Sequence, residues 1–250
     1  MVVLHNHAVT ERPSLSRVAA LQPLPSLREQ VATWLRSALF VGDLKPGSTF
    51  SVPALAEQFG ISATPVREGV LDLVHQGLVV AVPSKGFLVV DPSAEIIAQS
   101  VEIRRLLEVP TNCRIAETVT SEEIVPLRRM AKQIVGHARK GDVRSFVEVD
   151  YSFHRHLTGL CGNPMLTELV EDLRSRARVH TVPYIAVQGL LVKTAEEHHR
   201  LLDAMLARDL AQVTLVTEMH MGYALASFAE NRGPEALGAS AGASSTDSSR

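Results

Sequence analysis

The sequence has few cysteines and no long hydrophobic run. Its two cysteines, Cys113 and Cys161, lack the paired spacing of a zinc knuckle or a redox motif, so we expect reduced thiols packed as small hydrophobic groups. The longest apolar run, at 78–82, has the length of a strand and not of a membrane span. Residues 1–14 contain no apolar core of signal-peptide length. We therefore expect a cytoplasmic protein without a membrane partner.

The chain also has little net charge. Among 250 residues the formal net charge is −2, and 46% hydrophobic with 21% charged residues is the composition of a soluble globular protein. Any contact with nucleic acid must therefore come from a local patch and not from the overall field of the protein. Between residues 24 and 90, five basic residues stand against five acidic ones, so the count alone indicates no positive patch there.

The stretch at 44–90 contains two short helical patterns separated by a tight turn. Ser51 is placed to cap the first helix and Gly60 to end it. Ser62 or Thr64 can cap the second helix, which Gly77 ends. The residues expected on the buried face of the second helix are Val66, Val70, Leu71 and Val74.

Two apolar runs follow, at 78–82 and 87–90, and a polar tip joins them. This pattern predicts a β-hairpin. A helix, a short turn, a second helix and a two-stranded wing form a shape that reads DNA, because the second helix fits the major groove.

The whole chain is predicted to be mainly α. We expect a disordered arm at 1–23, a winged helix-turn-helix domain of three helices and a small β-hairpin at 24–91, an all-α antiparallel helical bundle at 94–231, and a disordered tail at 232–250. Breaks between the bundle helices are expected at 141–142, at 161–164, at Pro183 and near Asp209.

The first half resembles a known family. The segments LKPG, PALAEQFGIS, TPVREGVLDLVHQGLV and PSKGFLV are similar to the winged helix-turn-helix of GntR-family transcriptional regulators, over roughly residues 27–90. The candidate DNA contacts are Arg36, Ser62, Thr64, Pro65, Arg67, Lys85 and Gly86. Arg67 lies early on the second helix, where a guanidinium can bind a phosphate or a guanine. The alternative for Arg67 is a surface charge paired with Glu68 or Asp72.

The chain departs from this family at one position, near the start of the second helix. The family commonly carries an arginine directly after the capping serine or threonine, where this chain has Ala63. We therefore expect fewer phosphate contacts, an altered operator and a reliance on dimerisation for affinity.

Four residues of the second half form a candidate metal site. Asp150 and His154 are four residues apart and share one face of a helix, while His198 and His220 lie on two later helical segments. One carboxylate and three imidazoles suit zinc, the first choice, with nickel or manganese as alternatives. His156 and His199 lie beside candidate ligands but point in other directions on their helices, so both are left out.

The second half also resembles a family domain. IRRLLE at 103–108, DYSFHRHL followed by GNPML, and EEHHRLLDAMLARD with a later histidine are similar to the FCD ligand-binding domain of FadR-like regulators. The resemblance implies that Asp150, His154, His198 and His220 bind a metal, and that a small organic or sugar acid binds near it. Arg104 matches an arginine that would clamp the carboxylate of this effector. The alternative for Arg104 is a surface pair with Glu102 or Glu108.

These patterns together predict a ligand-responsive transcriptional regulator. Two winged domains of a homodimer would hold a near-palindromic operator, and the helical domains would sense the acid, with repression as the commoner outcome in the family. One alternative is a metal-dependent hydrolase, for which Glu171 and Glu197 are only nominal general bases. A second is a purely structural metal that holds the bundle together.

Overall fold

The computed structural model describes residues 25–231, with side chains as far as Ser227. The predicted disordered arm and tail lie outside this part of the chain. The described residues form nine helices and three strands. We call the elements up to residue 89 the winged head and the six helices after it the helical half.

The winged head contains three helices and a small sheet. Its elements are α1 Leu27–Val41, β1 Thr49–Phe50, α2 Val52–Phe59, α3 Ala63–His75, β2 Val79–Val82 and β3 Gly86–Val89. As predicted, Ser51 caps α2, with its hydroxyl accepting from the Ala54 amide, and Gly60 ends this helix in the left-handed conformation. The structure confirms a winged helix-turn-helix followed by a helical domain.

The wing has one more strand than the sequence predicts. The expected hairpin of β2 and β3 forms, but β1 pairs antiparallel with β3 on its other side, which gives the order β1-β3-β2. Thr49 lies opposite Leu88, and Phe50 lies opposite Phe87. A strand of two residues is too short to show alternation, so only the neighbouring strand defines it.

The buried face of α3 also differs from the prediction, which included Leu71 and left out Leu73. Val66, Val70 and Leu73 are fully buried, whereas Leu71 is 42% exposed. Residues four and seven apart share a helix face, and Leu71 lies about 100° away from Val70. Leu71 therefore lies with the solvent-facing residues of α3.

The helical half consists of α4 Ala94–Thr118, α5 Ser121–Lys140, α6 Val143–Gly159, α7 Pro164–Val187, α8 Leu191–Leu206 and α9 Leu210–Asn231. The expected break at Pro183 is wrong, because α7 continues through this residue. Proline removes one helical hydrogen bond. Val179, Val182 and Ile185 are nevertheless buried on both sides of it, so packing holds the helix together.

The winged head packs directly on the helical half. Buried side chains of both parts belong to one continuous hydrophobic core. Polar contacts cross the same boundary: Ser37 of α1 lies 3.2 Å from Glu148 of α6, and Arg176 of α7 donates to the Gln76 carbonyl after α3. The site that each part carries is therefore connected to the other part through packed side chains.

Within residues 25–231, none of the helices is long and apolar enough to cross a membrane.

Candidate nucleic-acid interface and metal centre

The four predicted metal ligands lie together in the helical half. Asp150 and His154 come from α6, His198 from α8 and His220 from α9. One ligand atom of each residue lies within 4.8 Å of the others. We call this group the metal centre.

The distances within the metal centre suit a tetrahedral ion. The Nε2 atoms of His154 and His198 are 3.1 Å apart, and Asp150 Oδ1 lies 3.1 Å from His198 Nε2 and 3.5 Å from His154 Nε2. Ligand atoms about 2.0–2.1 Å from a tetrahedral zinc ion are separated by about 3.3 Å. The donor set and its spacing therefore fit zinc or a similar divalent ion.

A second group of partners orients these ligands. His198 Nδ1 lies 3.0 Å from the Ala195 carbonyl, which can only accept, so this nitrogen donates and Nε2 is left for a metal. His220 Nδ1 lies 3.0 Å from Glu197, and the Tyr223 hydroxyl donates to the other oxygen of this carboxylate at 2.8 Å. Glu197 is thus a positioning residue for His220.

The protonation states also suit a metal. Burial holds the pKa of His154 well below its ordinary value, with Arg174 adding to the effect, and burial likewise lowers the pKa of His220. For Asp150, burial opposes ionisation, but His154 and Arg178 together hold the pKa of its carboxyl well below the usual range. Neutral imidazoles and an ionised carboxylate are the forms that bind metal ions.

A cavity of about 60 Å³ adjoins the metal centre. We call it the arginine cavity because Arg104, Arg174 and Arg178 line it, together with Asp150, His220 and Tyr223 of the centre and its surroundings. On this measure a cavity needs about 10–15 Å³ to hold one water, so its volume suits a small molecule. Three guanidinium groups in a small buried space favour an anion.

Arg104 is buried in this cavity and is not a surface residue. Its Nε lies 2.6 Å from Glu108, and Arg174 also donates to this carboxylate. Although burial raises the pKa of Glu108, the two arginines lower it to about 2. The alternative of a surface pair is therefore right about the partner Glu108 and wrong about the location, while the role of a carboxylate clamp stays a prediction.

Sequence reasoning missed several residues of this site. They are Glu108, Arg174, Arg178 and Tyr223. Arg174 and Arg178 are four residues apart in a run of arginines that is typical of a solvated helix face. Only the packing of α7 against α4 and α6 buries them, so the sequence carries no signal that singles them out.

The candidate DNA contacts of α3 lie on its exposed face. Thr64 and Arg67 are exposed, as is Ser62 at the start of the helix. Arg28 of α1 binds Asp72, and Arg67 forms no ion pair within residues 25–231. The alternative in which Arg67 pairs with Asp72 or Glu68 is therefore not what the structure has.

The first turn of α3 differs from those of most other helices. The side chains of Ser26, Ser51, Ser93, Thr120, Asp142 and Asn163 cap their helices. Ser62 is the N-cap residue of α3, but its side chain makes no capping bond. The amides of this turn and the Ser62 hydroxyl are thus left without an intramolecular side-chain partner, as an anion site at a helix N-terminus requires.

The structure separates the remaining candidates. Lys85 is exposed in the turn of the wing, while Pro65 is half-buried in α3. Gly86 has φ +92°, and a Cβ there would approach the Phe50 carbonyl oxygen to 2.4 Å, so β1 packing requires this glycine. Arg36 is not on this face, because its guanidinium lies over the Tyr151 ring of α6, 5.0 Å from the centroid.

Comparisons with known proteins match both halves. The profile described as "Bacterial regulatory proteins, gntR family" matches residues 17–89, and that of the FCD domain matches residues 99–223. The chain is 30% identical over 186 residues to the HTH-type transcriptional regulator McbR of Escherichia coli strain K12, covering 74% of this chain and 84% of McbR.

Two further similarities cover most of the chain. The HTH-type transcriptional repressor RspR of Escherichia coli strain K12 is 24% identical over 205 residues, which is 80% of this chain and 88% of RspR. The solved structure of E. coli McbR/YncC superposes with a TM-score of 0.72 at 26% identity, over 84% of this chain and all of that one.

Proposed function

This chain belongs to the GntR family of bacterial regulatory proteins and is a DNA-binding transcriptional regulator with an FCD domain, and we propose that a metal ion and a small carboxylate control it. It is not an enzyme: the family descriptions and the names of the relatives are those of transcriptional regulators. The hydrolase alternative is therefore wrong. We further propose that it acts in the cytoplasm as a repressor, which the name of RspR supports for a relative.

We assign operator recognition to the exposed face of α3. Its support is that Arg67 has no intramolecular ion pair and that the first turn of α3 lacks a side-chain cap. Lys85 in the turn of the wing would contact the phosphate backbone beside the recognition helix. We keep Ser62, Thr64, Pro65 and Gly86 in the proposed interface and assign Arg36 to the boundary between the two parts.

We propose a homodimer that reads a near-palindromic operator. Helices α4 and α7 carry large apolar side chains on their solvent-facing sides. They are Ile96, Ile103 and Leu106 on α4, and Met165 and Leu169 on α7. We place the contact between the two copies on these side chains, and a twofold axis there would match the two half-sites of the operator.

The observation that carries the sensing role is that the metal centre and the arginine cavity share residues. Asp150 and His220 belong to the metal centre and also line the arginine cavity. A carboxylate in that cavity would lie within reach of both the ion and the guanidinium of Arg104. We propose zinc, with nickel or manganese as alternatives, and a small organic or sugar acid.

A thermal-shift screen tests this proposal. The full-length protein is mixed with small carboxylic and sugar acids, once with zinc restored and once after chelation. We expect one class of acid to raise the melting temperature only with zinc, because a ligand of the native state stabilises it. The His220→Ala variant should lose this acid-dependent rise. Loss of stability on chelation without a response to any acid would support the structural-metal alternative instead.

A DNA selection tests, independently of the metal and the acid, whether the winged head recognises an operator. Duplexes are selected from a random-sequence library with the wild-type protein, and their binding is measured over a range of salt concentrations. We expect a near-palindromic sequence whose affinity falls with salt. Binding of equal strength to all sequences would contradict the proposed operator recognition.

A further inference from the structure

The two carboxylate oxygens of Asp150 face different parts of the molecule. Oδ1 lies beside the Nε2 atoms of His154 and His198 in the metal centre. Oδ2 accepts a hydrogen bond from Arg178 Nη2 at 2.9 Å. A change of charge on the metal side of Asp150 therefore alters the carboxylate that holds Arg178.

Arg178 reaches from this carboxylate towards the winged head. Its guanidinium also lies 3.3 Å from Glu171, and Arg178 as a residue is 7% exposed. The same group lies over two aromatic rings, 5.5 Å from the centroid of Tyr151 and 6.0 Å from that of Phe40. Phe40 is a fully buried residue of α1, so Arg178 contacts the metal centre and the first helix of the winged head at once.

The ring of Tyr151 also contacts a second guanidinium, which belongs to the winged head. Arg36 of α1 lies over its ring, 5.0 Å from the centroid. Tyr151 follows Asp150 directly in α6. The ring of Tyr151 thus contacts one arginine of the helical half and one of the winged head. Each contact has the geometry of a cation–π interaction.

We propose that Arg178, Tyr151 and Arg36 connect the metal centre to α1, so that occupancy of the centre changes the position of the winged head. This inference rests on the proposed function, since it assigns a route to the regulation that the function requires. The three are positioning residues. None of them is among the four candidate metal ligands, and Arg178 also lines the arginine cavity.

Charge competition supplies the physical reason. A divalent ion held by the metal centre would compete with Arg178 for the negative charge of Asp150, and the attraction between Asp150 and the guanidinium would weaken. The guanidinium of Arg178 would then move away from Asp150 and towards Glu171 and the rings of Tyr151 and Phe40. On the α1 side the guanidinium lies over the fully buried Phe40, so a shift of this group over the ring displaces close-packed neighbours on α1.

The single tryptophan offers a direct readout of this boundary. Trp34 is the only tryptophan of the chain and lies on α1. The guanidinium of Arg144 of α6 lies 6.0 Å from its ring centroid, and the Phe59 ring of α2 packs edge-on at 4.9 Å. A movement of α1 against α6 changes these surroundings and hence the emission of Trp34.

The experiment compares two substitutions of Tyr151 in the full-length protein. Tyr151→Leu removes the ring, whereas Tyr151→Phe keeps it and serves as the matched control. Zinc chloride is added to chelated protein, zinc affinity is measured by competition with a chromogenic chelator, and Trp34 emission is recorded in the same titration. Affinity for a duplex selected with the wild-type protein is measured with and without zinc.

We expect all three proteins to bind zinc with similar affinity. In the wild type and Tyr151→Phe, zinc should change Trp34 emission and shift operator affinity by about 5-fold or more. In Tyr151→Leu the emission change should largely vanish and the shift in operator affinity should fall below about 2-fold. Arg178→Lys is the second variant if Tyr151→Leu fails to fold, because it keeps the charge beside Asp150 and loses the planar group over the rings.

Two results would overturn the connection and leave the proposed function intact. One is a Tyr151→Leu variant in which zinc still changes Trp34 emission and operator affinity as much as in the wild type. The other is a wild-type protein that binds zinc without any change in Trp34 emission. A wild-type protein that binds no zinc would remove the metal from the proposed function, and the connection with it. Sequence-specific binding to the selected duplex would still stand in that case.

Discussion

The winged head and the helical half hold their functional side chains in opposite ways. Thr64 and Arg67 of the head are exposed, and Arg67 has no ion-pair partner within residues 25–231. In the helical half, His198 and Arg178 are buried, and each is held by a second polar group. A surface that must bind a large polyanion leaves its groups free, while a site that must fix an ion or a small acid orients them beforehand. The two halves should therefore respond differently to substitution.

The largest expected effect is the loss of a metal ligand. His198→Ala should lower zinc affinity by more than about 100-fold, since even outer partners of a ligand are worth about 10- to 100-fold. His199→Ala is the matched control, because His199 is the adjacent residue and lies outside the metal centre. Competition with a chromogenic chelator measures both affinities. Equal affinities in the two variants would show that His198 is not a ligand.

Removal of the exposed arginine should have the next largest effect. Arg67→Ala should weaken operator binding by about 1–3 kcal/mol, or roughly 5- to 150-fold, without a change in stability. Arg129→Ala is the control, since Arg129 is an equally exposed arginine on α5. Fluorescence anisotropy with a selected duplex gives both affinities. If the Arg129 variant loses as much affinity, overall charge and not the α3 face governs binding.

A buried orienting group should matter more than its exposed neighbour. Glu197 holds His220, whereas Glu196 forms an exposed pair with Arg139. Glu197→Gln should weaken zinc binding by about 10- to 100-fold, and Glu196→Gln should not. Isothermal titration of zinc into each chelated variant checks this. No difference between the two would mean that the orientation of His220 is unimportant for the metal.

Acid should destabilise the helical half through its histidines. Burial lowers the pKa of His154 and His220 in the folded state, so below the ordinary histidine value of about 6.5 the unfolded state binds protons that the folded state does not. The free energy of unfolding of metal-free protein should therefore fall as the pH decreases from 7 to 5, by up to about 1 kcal/mol per histidine for each pH unit.

Urea denaturation at several pH values measures this slope. In His154→Gln the dependence between pH 7 and 5 should be shallower than in the wild type. An unchanged slope would assign the acid sensitivity to other groups.

The smallest expected effects come from substituting two serines of the winged head, which should act on different properties. The Ser51 hydroxyl caps α2, whereas that of Ser62 caps nothing. Ser51→Ala should lower the free energy of unfolding by about 1 kcal/mol. Ser62→Ala should leave stability unchanged and weaken operator binding. Denaturation and anisotropy on both variants test this crossed pattern, and a stability loss in Ser62→Ala would contradict a free hydroxyl.

Local signals were sufficient for much of this protein. Ser51 and Gly60 mark the ends of α2 because capping acts between residues a few positions apart. That the four candidate metal ligands lie together was predictable, because Asp150 and His154 share a helix face by their spacing and the resemblance to the FCD domain added His198 and His220. These features depend on neighbours in the chain or on a motif written in it.

Other features had no local signature. The sequence alone determined the winged helix-turn-helix, the helical domain and the four candidate metal ligands. Only the tertiary structure buried Arg104, Arg174 and Arg178 around the cavity, carried α7 through Pro183 and turned Arg36 towards Tyr151. The physical reason is that capping and helix periodicity depend on near neighbours, whereas burying a charge requires partners from distant helices, and only packing brings these together.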